Sequence, residues 1–333
     1  MKIELEKQDH FGQITALMFL TGNLLLVGTG SFVKLYDINI PNSPLITLPV
    51  LNKSRVHNII KTRLIPNGIE LHNPQKNAFH ITDSIPLETI MVLGGKTISF
   101  LSTHLQLIKT VEFRDWIQCA RVLSDGTIAI LYSHNFLELW DLNSGLLKSV
   151  SLEVRCMLYS GDIFGTSWNT LNVASGTIFN TVLIWSPIDN QNGVARVQQR
   201  LNGHEGVIHG VRFNSDGSMI CSTSDDRTVR IWKLTGDVLS PMVLYGHLGR
   251  VWKADFVSNY IISISEDATC RVWNPNDGNC IECFSGHGSK HVWSFAVNNE
   301  TNSILATGGG DCGIRLWDLT NLVETHNSSL YNN

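Results

Sequence analysis

The sequence predicts an all-β fold assembled from seven similar units, and three observations predict it. The first is a pattern repeated three times without gaps: Ser222-x3-Asp226-x5-Trp232, Ser263-x3-Asp267-x5-Trp273 and Thr307-x3-Asp311-x5-Trp317. Each copy follows a Gly-His pair, at Gly203-His204, Gly246-His247 and Gly286-His287. The second is spacing. Aromatic markers fall at positions 36, 100, 140, 185, 232, 273 and 317, mostly 40 to 47 residues apart, the length of one four-stranded repeat. The third is composition. Charged residues are 16% of the chain, against roughly 25% in ordinary globular proteins. With 27 Gly, 13 Phe and 9 Trp, the chain suits many short buried strands better than long solvated helices.

Taken in order, the first unit ends in Leu35-Tyr36-Asp37 and the second in Ile98-Ser99-Phe100. The 64-residue gap between these markers holds six of the nine prolines, at 41, 44, 49, 66, 74 and 86. Residues 56–64 can supply an inner strand, whereas Asn67 to Pro86 reads as an inserted loop, because Pro, Asn and Gly are poor inside strands. Leu139-Trp140-Asp141 and Ile184-Trp185 mark units three and four, and the strong repeats are units five to seven. The segment 321–333 is polar and offers no outer strand. Ile3 to Lys7 alternates and is expected to complete the last unit, pairing the chain ends and removing a sheet edge. Asp9-His10-Phe11-Gly12 then imitates the Gly-His turn.

A Ser or Thr, an Asp, a Trp and a His in fixed register resemble the WD-repeat family, whose repeats form four-stranded sheets standing radially around a channel. The resemblance implies a seven-bladed WD40 β-propeller over residues 1–320, followed by a polar tail at 321–333. Its residue types have a physical logic. Buried His204, Ser222, Asp226 and Trp232 can bond in series, as can His247, Ser263, Asp267 and Trp273, and His287, Thr307, Asp311 and Trp317. Ser, His and Asp also compose a hydrolase triad, but a nucleophilic site is not built once per repeat. The expected role is structural.

Other features narrow the function. A net charge of −4 excludes a generally basic nucleic-acid coat, though not a local patch. Seven scattered cysteines suit a reducing compartment, and no apolar run has the length of a signal core or membrane span. The expectation is a soluble, cytoplasmic protein with no membrane contact. Gly94-Gly95-Lys96-Thr97 lacks the first glycine of a phosphate loop, and Gly28-Thr29-Gly30 lacks the third glycine of a dinucleotide fingerprint. Both read as turns between middle strands. Cys280-x2-Cys283-x3-His287-x3-His291 has zinc-like residues, but the two thiols fall on an outer strand with alternating faces, and His287 belongs to the repeat. No catalytic residue, metal site or cofactor is assigned.

Candidate binding residues are few. Trp252 and Trp293 share one register, each following the first valine of an inner strand. Arg250 and Lys253 flank the first; Lys290 and His291 precede the second. Aromatic groups with cations at a rim can take a protein loop or stack a base. The alternative, favoured by their offset of four residues from Phe256 and Val297, is packing between blades. A second basic cluster, Lys53, Arg55, His57, Lys61 and Arg63, reads as an ordinary exposed edge.

Four stretches carry a closer resemblance: Asp115-Trp116-Ile117-Gln118-Cys119-Ala120-Arg121, Gly176-Thr177-Ile178-Phe179-Asn180, Gly249-Arg250-Val251-Trp252 and the run from Gly309 to Trp317. They resemble, in the same order, the N-terminal propeller of the WD repeat-containing protein 6 family. That resemblance implies a non-catalytic scaffold. Family members bind an FtsJ-like 2′-O-ribose methyltransferase, which carries S-adenosylmethionine, and direct it to the wobble ribose of certain tRNAs. Members are longer and carry further propellers. The competing expectation is a general WD scaffold, such as a ubiquitin-ligase receptor or trafficking adaptor. Ligase receptors commonly show Trp-Asp-x-Arg, but Asn143 and Thr320 occupy the Arg positions here. A propeller enzyme would need a funnel of unclaimed acids or metal ligands, and the sequence offers none.

Overall fold

A computed structural model describes residues 3–5, 12–40, 43–62, 88–235, 240–298, 300–301, 303–320 and 322. Its strands form seven four-stranded antiparallel blades. The chain opens with β1 (Ile3–Leu5), which belongs to the last blade. Blade 1 is β2 (Ile14–Phe19), β3 (Leu24–Thr29), β4 (Phe32–Asp37) and β5 (Ile46–Pro49). Blade 2 is β6 (Asn58–Thr62), β7 (Thr89–Gly94), β8 (Thr97–Ser102) and β9 (Leu107–Glu112). Blade 3 is β10 (Ile117–Val122), β11 (Ile128–Tyr132), β12 (Phe136–Asp141) and β13 (Gly145–Leu152). Blade 4 is β14 (Leu158–Phe164), β15 (Asn172–Thr177), β16 (Thr181–Gln191) and β17 (Val194–Asn202). Blade 5 is β18 (Ile208–Phe213), β19 (Met219–Ser224), β20 (Val229–Lys233) and β21 (Met242–Leu244). Blade 6 is β22 (Val251–Val257), β23 (Tyr260–Ser265), β24 (Thr269–Trp273) and β25 (Cys280–Ser285). Blade 7 is β26 (Val292–Val297), β27 (Ile304–Gly309) and β28 (Ile314–Asp318), with β1 as its outer strand.

The pairing Ile3↔Leu316 and Leu5↔Ile314 joins the chain ends, and β2 meets β26 at the centre. The ring is closed by strands of distant sequence, which leaves β28 no free edge along this pairing. Blades 3 and 4 are also joined at their periphery. Their outer strands β13 and β17 pair in parallel, Ser151↔Val194 and Leu152↔Ala195, making one eight-stranded sheet.

The core explains why blades stand side by side. Among the described residues seven hydrophobic clusters occur, and each is shared by two neighbouring blades. A blade alone has two apolar faces and buries neither; the ring buries both. The marker aromatics Tyr36, Trp185, Trp232, Trp273 and Trp317 all lie in the cluster shared with the preceding blade. One marker is corrected. In blade 2 the position facing blade 1 belongs to Leu101, which opposes Ile90 as Tyr36 opposes Leu25. Phe100 faces blade 3 instead. With a side-chain period of two, a shift of one residue reverses the face.

Gly94-Gly95-Lys96-Thr97 is the β7–β8 turn, with Gly95 at φ +59°, and Gly28-Thr29-Gly30 is the β3–β4 turn, with Gly30 at φ +54°. The expected insertion at 67–86, the turn mimic at 9–11, Lys7 and nearly all of the 321–333 tail lie outside the described residues. Among the described residues no helix is long and apolar enough to cross a membrane.

Candidate functional site: the repeat network and the channel mouth

In blades 5 to 7 the repeated side chains meet as one hydrogen-bonded series. His204 Nδ1 lies 2.7 Å from Asp226 Oδ2, and its Nε2 lies 2.8 Å from Ser222 Oγ. Trp232 Nε1 donates to the same hydroxyl at 2.8 Å. In blade 6 the corresponding distances are 2.9, 2.7 and 2.8 Å through His247, Asp267, Ser263 and Trp273. Blade 7 repeats them at 2.9, 2.9 and 2.8 Å through His287, Asp311, Thr307 and Trp317. A serine hydroxyl has one proton and the indole only donates, so the protonation pattern follows. The imidazole N–H donates to Asp, the hydroxyl donates to Nε2, and the indole donates to the hydroxyl.

Ser222, Ser263 and Thr307 are fully buried. A triad-like geometry is therefore present three times, with each nucleophile walled off and its oxygen already bonded to an indole. The series ties the loop before each inner strand to the two middle strands. Before His204 and His247 the glycine has its own cause: Gly203 and Gly246 sit at φ +154° and +153°, a backbone conformation that L side chains rarely adopt.

Sequence reading missed several members of this network. Thr228 and Thr269 donate to Asp226 and Asp267 at 2.7 and 2.6 Å. Arg230 and Arg315 lie four residues after their aspartates, and Arg315 Nη2 reaches Asp311 Oδ2 at 2.8 Å. Their signal was present, since Arg230, Arg271 and Arg315 recur two residues before Trp. Blades 3 and 4 use other partners. Trp140 Nε1 donates to buried Glu138 at 2.8 Å. Trp185 donates to Ser175 at 3.0 Å, and Ser175 donates to Asn135 of the neighbouring blade at 2.8 Å.

Burial alone would raise the aspartates, but hydrogen bonds from His204 and Thr228 hold Asp226 well below the usual carboxylate range. Asp267 and Asp311 are lowered in the same way by His247 and His287. A depressed folded value means stability that is present above the unfolded value near 4 and is lost as pH falls through the folded one. Asp226→Ala, Asp267→Ala and Asp311→Ala should each destabilise the protein by about 1–3 kcal/mol at pH 7, because each orphans a buried imidazole. The gap from wild type should narrow below about pH 4, read by denaturant midpoints across pH. Unchanged midpoints in all three variants would refute the network's role.

The second site is the face where inner strands begin and second strands end. Inner strands run in one direction around the ring, so all seven starts share this face. In six blades the ladder slips at one residue near the strand start: Thr15, Gln118, Tyr159, His209, Trp252 and Trp293. Such β-bulges re-aim a side chain, and here they form a collar. Tyr159 meets His209 at 5.7 Å between ring centroids, His209 meets Trp252 at 4.9 Å, and Trp252 meets Trp293 at 4.8 Å. His291 packs 5.2 Å from Trp293. The two tryptophans thus pack across the blade interface at the channel mouth, and both are half-buried.

Other candidate residues are separated by the fold. Arg250 Nε sits 3.1 Å from Asp225 and 3.7 Å from Glu266, so its charge is counterbalanced. Lys290 stays exposed in the loop before β26. Lys253 is not a rim residue; it lines the channel with His57 and Arg212, in a mouth cavity of about 390 Å³. Burial and the Arg212 guanidinium push Lys253 down to about 8, against the opposing pull of Asp255. The basic cluster of blade 2 is also divided: His57 enters the channel, Lys61 pairs with Glu88 at 2.7 Å, and Arg63 lies outside the described residues.

The four stretches that carried the closer resemblance converge on this one face, at the lead-in to β10, the β15–β16 turn, the lead-in to β22 and the β27–β28 turn. A family model of the WD domain, G-beta repeat, matches residues 195–233, 240–274 and 278–318. The chain is a WD-repeat propeller. Relatives of this propeller include the tRNA (34-2′-O)-methyltransferase regulator WDR6 of Pongo abelii, 35% identical over 90% of the chain. The proteins of that name from Rattus norvegicus and Drosophila melanogaster are 31% and 24% identical over 90% of the chain. The propeller spans 27% of the length of the Pongo and Rattus proteins and 31% of the Drosophila protein.

Proposed function

We propose that the chain is a non-catalytic WD-repeat scaffold that binds an FtsJ-like 2′-O-ribose methyltransferase in the cytoplasm and helps direct it to the wobble nucleotide of tRNA. The observation that carries this reading is similarity over 90% of the chain to proteins named as regulators of a tRNA (34-2′-O)-methyltransferase. The buried Ser, His and Asp of the repeats support a non-catalytic role, because no substrate reaches them. The partner's docking surface is the mouth on blades 6 and 7. Trp252, Trp293 and His291 form its aromatic floor, Arg250 and Lys290 its rim, and Lys253 the charge beneath. Leu248 stands beside them 79% exposed. The indole nitrogens of Trp252 and Trp293 are buried, without a hydrogen-bond partner among the described residues, so it is the ring edges that face the mouth. The scaffold's contribution is positional, converting a loose encounter into an oriented one.

The test combines the chain, an FtsJ-like methyltransferase and tRNA, and reads complex formation by gel filtration and ribose methylation at the wobble position. A stable complex and increased methylation are expected, both weakened by Trp252→Ala. No complex, with methylation indifferent to the chain, would sink the proposal.

A further inference from the structure

On the other side of the same face, two neighbouring lead-in segments run side by side from the periphery to the channel. Arg114, Asp115, Trp116, Ile117 and Gln118 enter blade 3, while Arg155, Cys156, Met157, Leu158 and Tyr159 enter blade 4. They are knitted into one rigid surface. Ser133 N–H donates to Trp116 O at 2.8 Å, Leu158 N–H donates to Ser133 O at 2.7 Å, and Gln118 Nε2 donates to Leu158 O at 2.8 Å.

The outer end of this surface is a cleft of about 760 Å³ whose lining includes Arg114, Arg155, His134, Ser149 and Ser151. Arg114 is held in place, with its guanidinium 4.1 Å over the Phe136 ring and Nη2 2.8 Å from Glu138. His134 is oriented by Asp115, 2.7 Å from its Nδ1, and is itself exposed. Asp115 lies against that imidazole, and Glu138, buried beneath Arg114, counterbalances the guanidinium charge, so Arg155 is the arginine of the lining with no ion pair among the described residues. The inner end carries Trp116, 60% exposed, and Tyr159, 54% exposed, which line the mouth cavity with His57, Arg212 and Lys253. Arg155 and hydroxyls at the edge, two open aromatic side chains in the middle and Lys253 at the centre form one sequence of groups; burial pushes His57 down to about 4, leaving it neutral, and Arg212 pairs with Asp162 at 3.2 Å. Flexible single strands are bound by that combination, with phosphates on the cations and bases stacked on the rings.

We infer that the blade 3–4 side of this face binds single-stranded RNA, with phosphates at Arg155 in the outer cleft and bases against Trp116 and Tyr159. This deepens the reading above by giving the propeller its own RNA contact, centred on blades 3 and 4 and meeting the blade 6–7 docking surface at the channel mouth, where Lys253 and Trp293 line the same cavity. An acidic peptide segment would satisfy the cations but leave the aromatic pair without planar partners.

The experiment uses the chain alone with a fluorescently labelled, unstructured 12-nucleotide RNA, and reads anisotropy over a salt series. Trp116→Ala is expected to weaken binding by about tenfold or more, nearly independently of salt. Arg155→Ala should weaken it and lower the salt slope by roughly 0.7. Lys233→Ala, on the exposed opposite end of β20, removes the same charge and should leave affinity unchanged. The substituted side chains are exposed, so the melting curves should be preserved. RNA binding indifferent to Trp116 and Arg155, no RNA binding at low salt, or preference for a polyglutamate peptide would each overturn the inference. Since no methyltransferase is present, these outcomes are separate from failure of the docking reading, which would show as lost complex with intact RNA binding.

Discussion

Trp273→Ala is expected to lower stability by about 3–5 kcal/mol, the range for truncating a buried tryptophan. The indole is fully buried in the cluster that joins blades 5 and 6, and it also fills one lone pair of Ser263. The loss is therefore twofold: the contact surface between two blades and a satisfied hydrogen bond in the series to His247 and Asp267. Against a total stability of about 5–15 kcal/mol, such a loss is a large fraction. Urea unfolding should show the midpoint fall steeply. Trp116→Ala provides the contrast, since that side chain is open to solvent on the face and should change stability by less than about 0.5 kcal/mol. Equal effects from the two substitutions would mean that the repeat tryptophans do not hold the blades together.

Deleting residues 1–8 is the second large perturbation. It removes β1 and exposes the N–H and C=O groups of β28 that now pair with Ile3, Glu4 and Leu5. Two consequences follow from one cause. The last blade loses its outer strand, so the join between chain ends rests on the packing of blade 1 against β26, β27 and β28 without strand pairing, and an unpaired edge becomes a template for a second copy. Concentration-dependent aggregation and a lower melting temperature are expected from light scattering and circular dichroism. A truncated chain that stays monomeric with native stability would show that β1 is dispensable for closure.

Network chemistry was legible where one repeat contains all its members. His204, Ser222, Asp226 and Trp232 sit within 29 consecutive positions, and their spacing repeats in blades 6 and 7. It was illegible where the partner comes from another blade, as when Asn135 accepts from Ser175, because nothing in the spacing of either segment links them. Blade 2 shows a different failure. Phe100 is the more conspicuous residue, yet Leu101 holds the equivalent position, since register and not residue type decides which face a side chain takes.

The candidate surfaces divide in the same way. Trp252 and Trp293 could be matched by register in the sequence, but their meeting at 4.8 Å required β22 and β26 to stand beside each other. Arg250 looked like a free cation until the fold brought Asp225 of the preceding blade to 3.1 Å. The pairing of Arg114 with Arg155 in one cleft had no signal at all, because the two lie 41 positions apart and outside the repeated pattern.

By itself the sequence determined the all-β class, the number of units and the three complete networks, because hydrophobic spacing and repeat length act along the chain. Only the tertiary structure decided which residues share the channel mouth, which cations are neutralised and how blades 3 and 4 join, because those depend on distances between segments that the ring brings together. The physical reason is that a blade is local whereas its neighbours' side chains, which complete its core and its surface, are not.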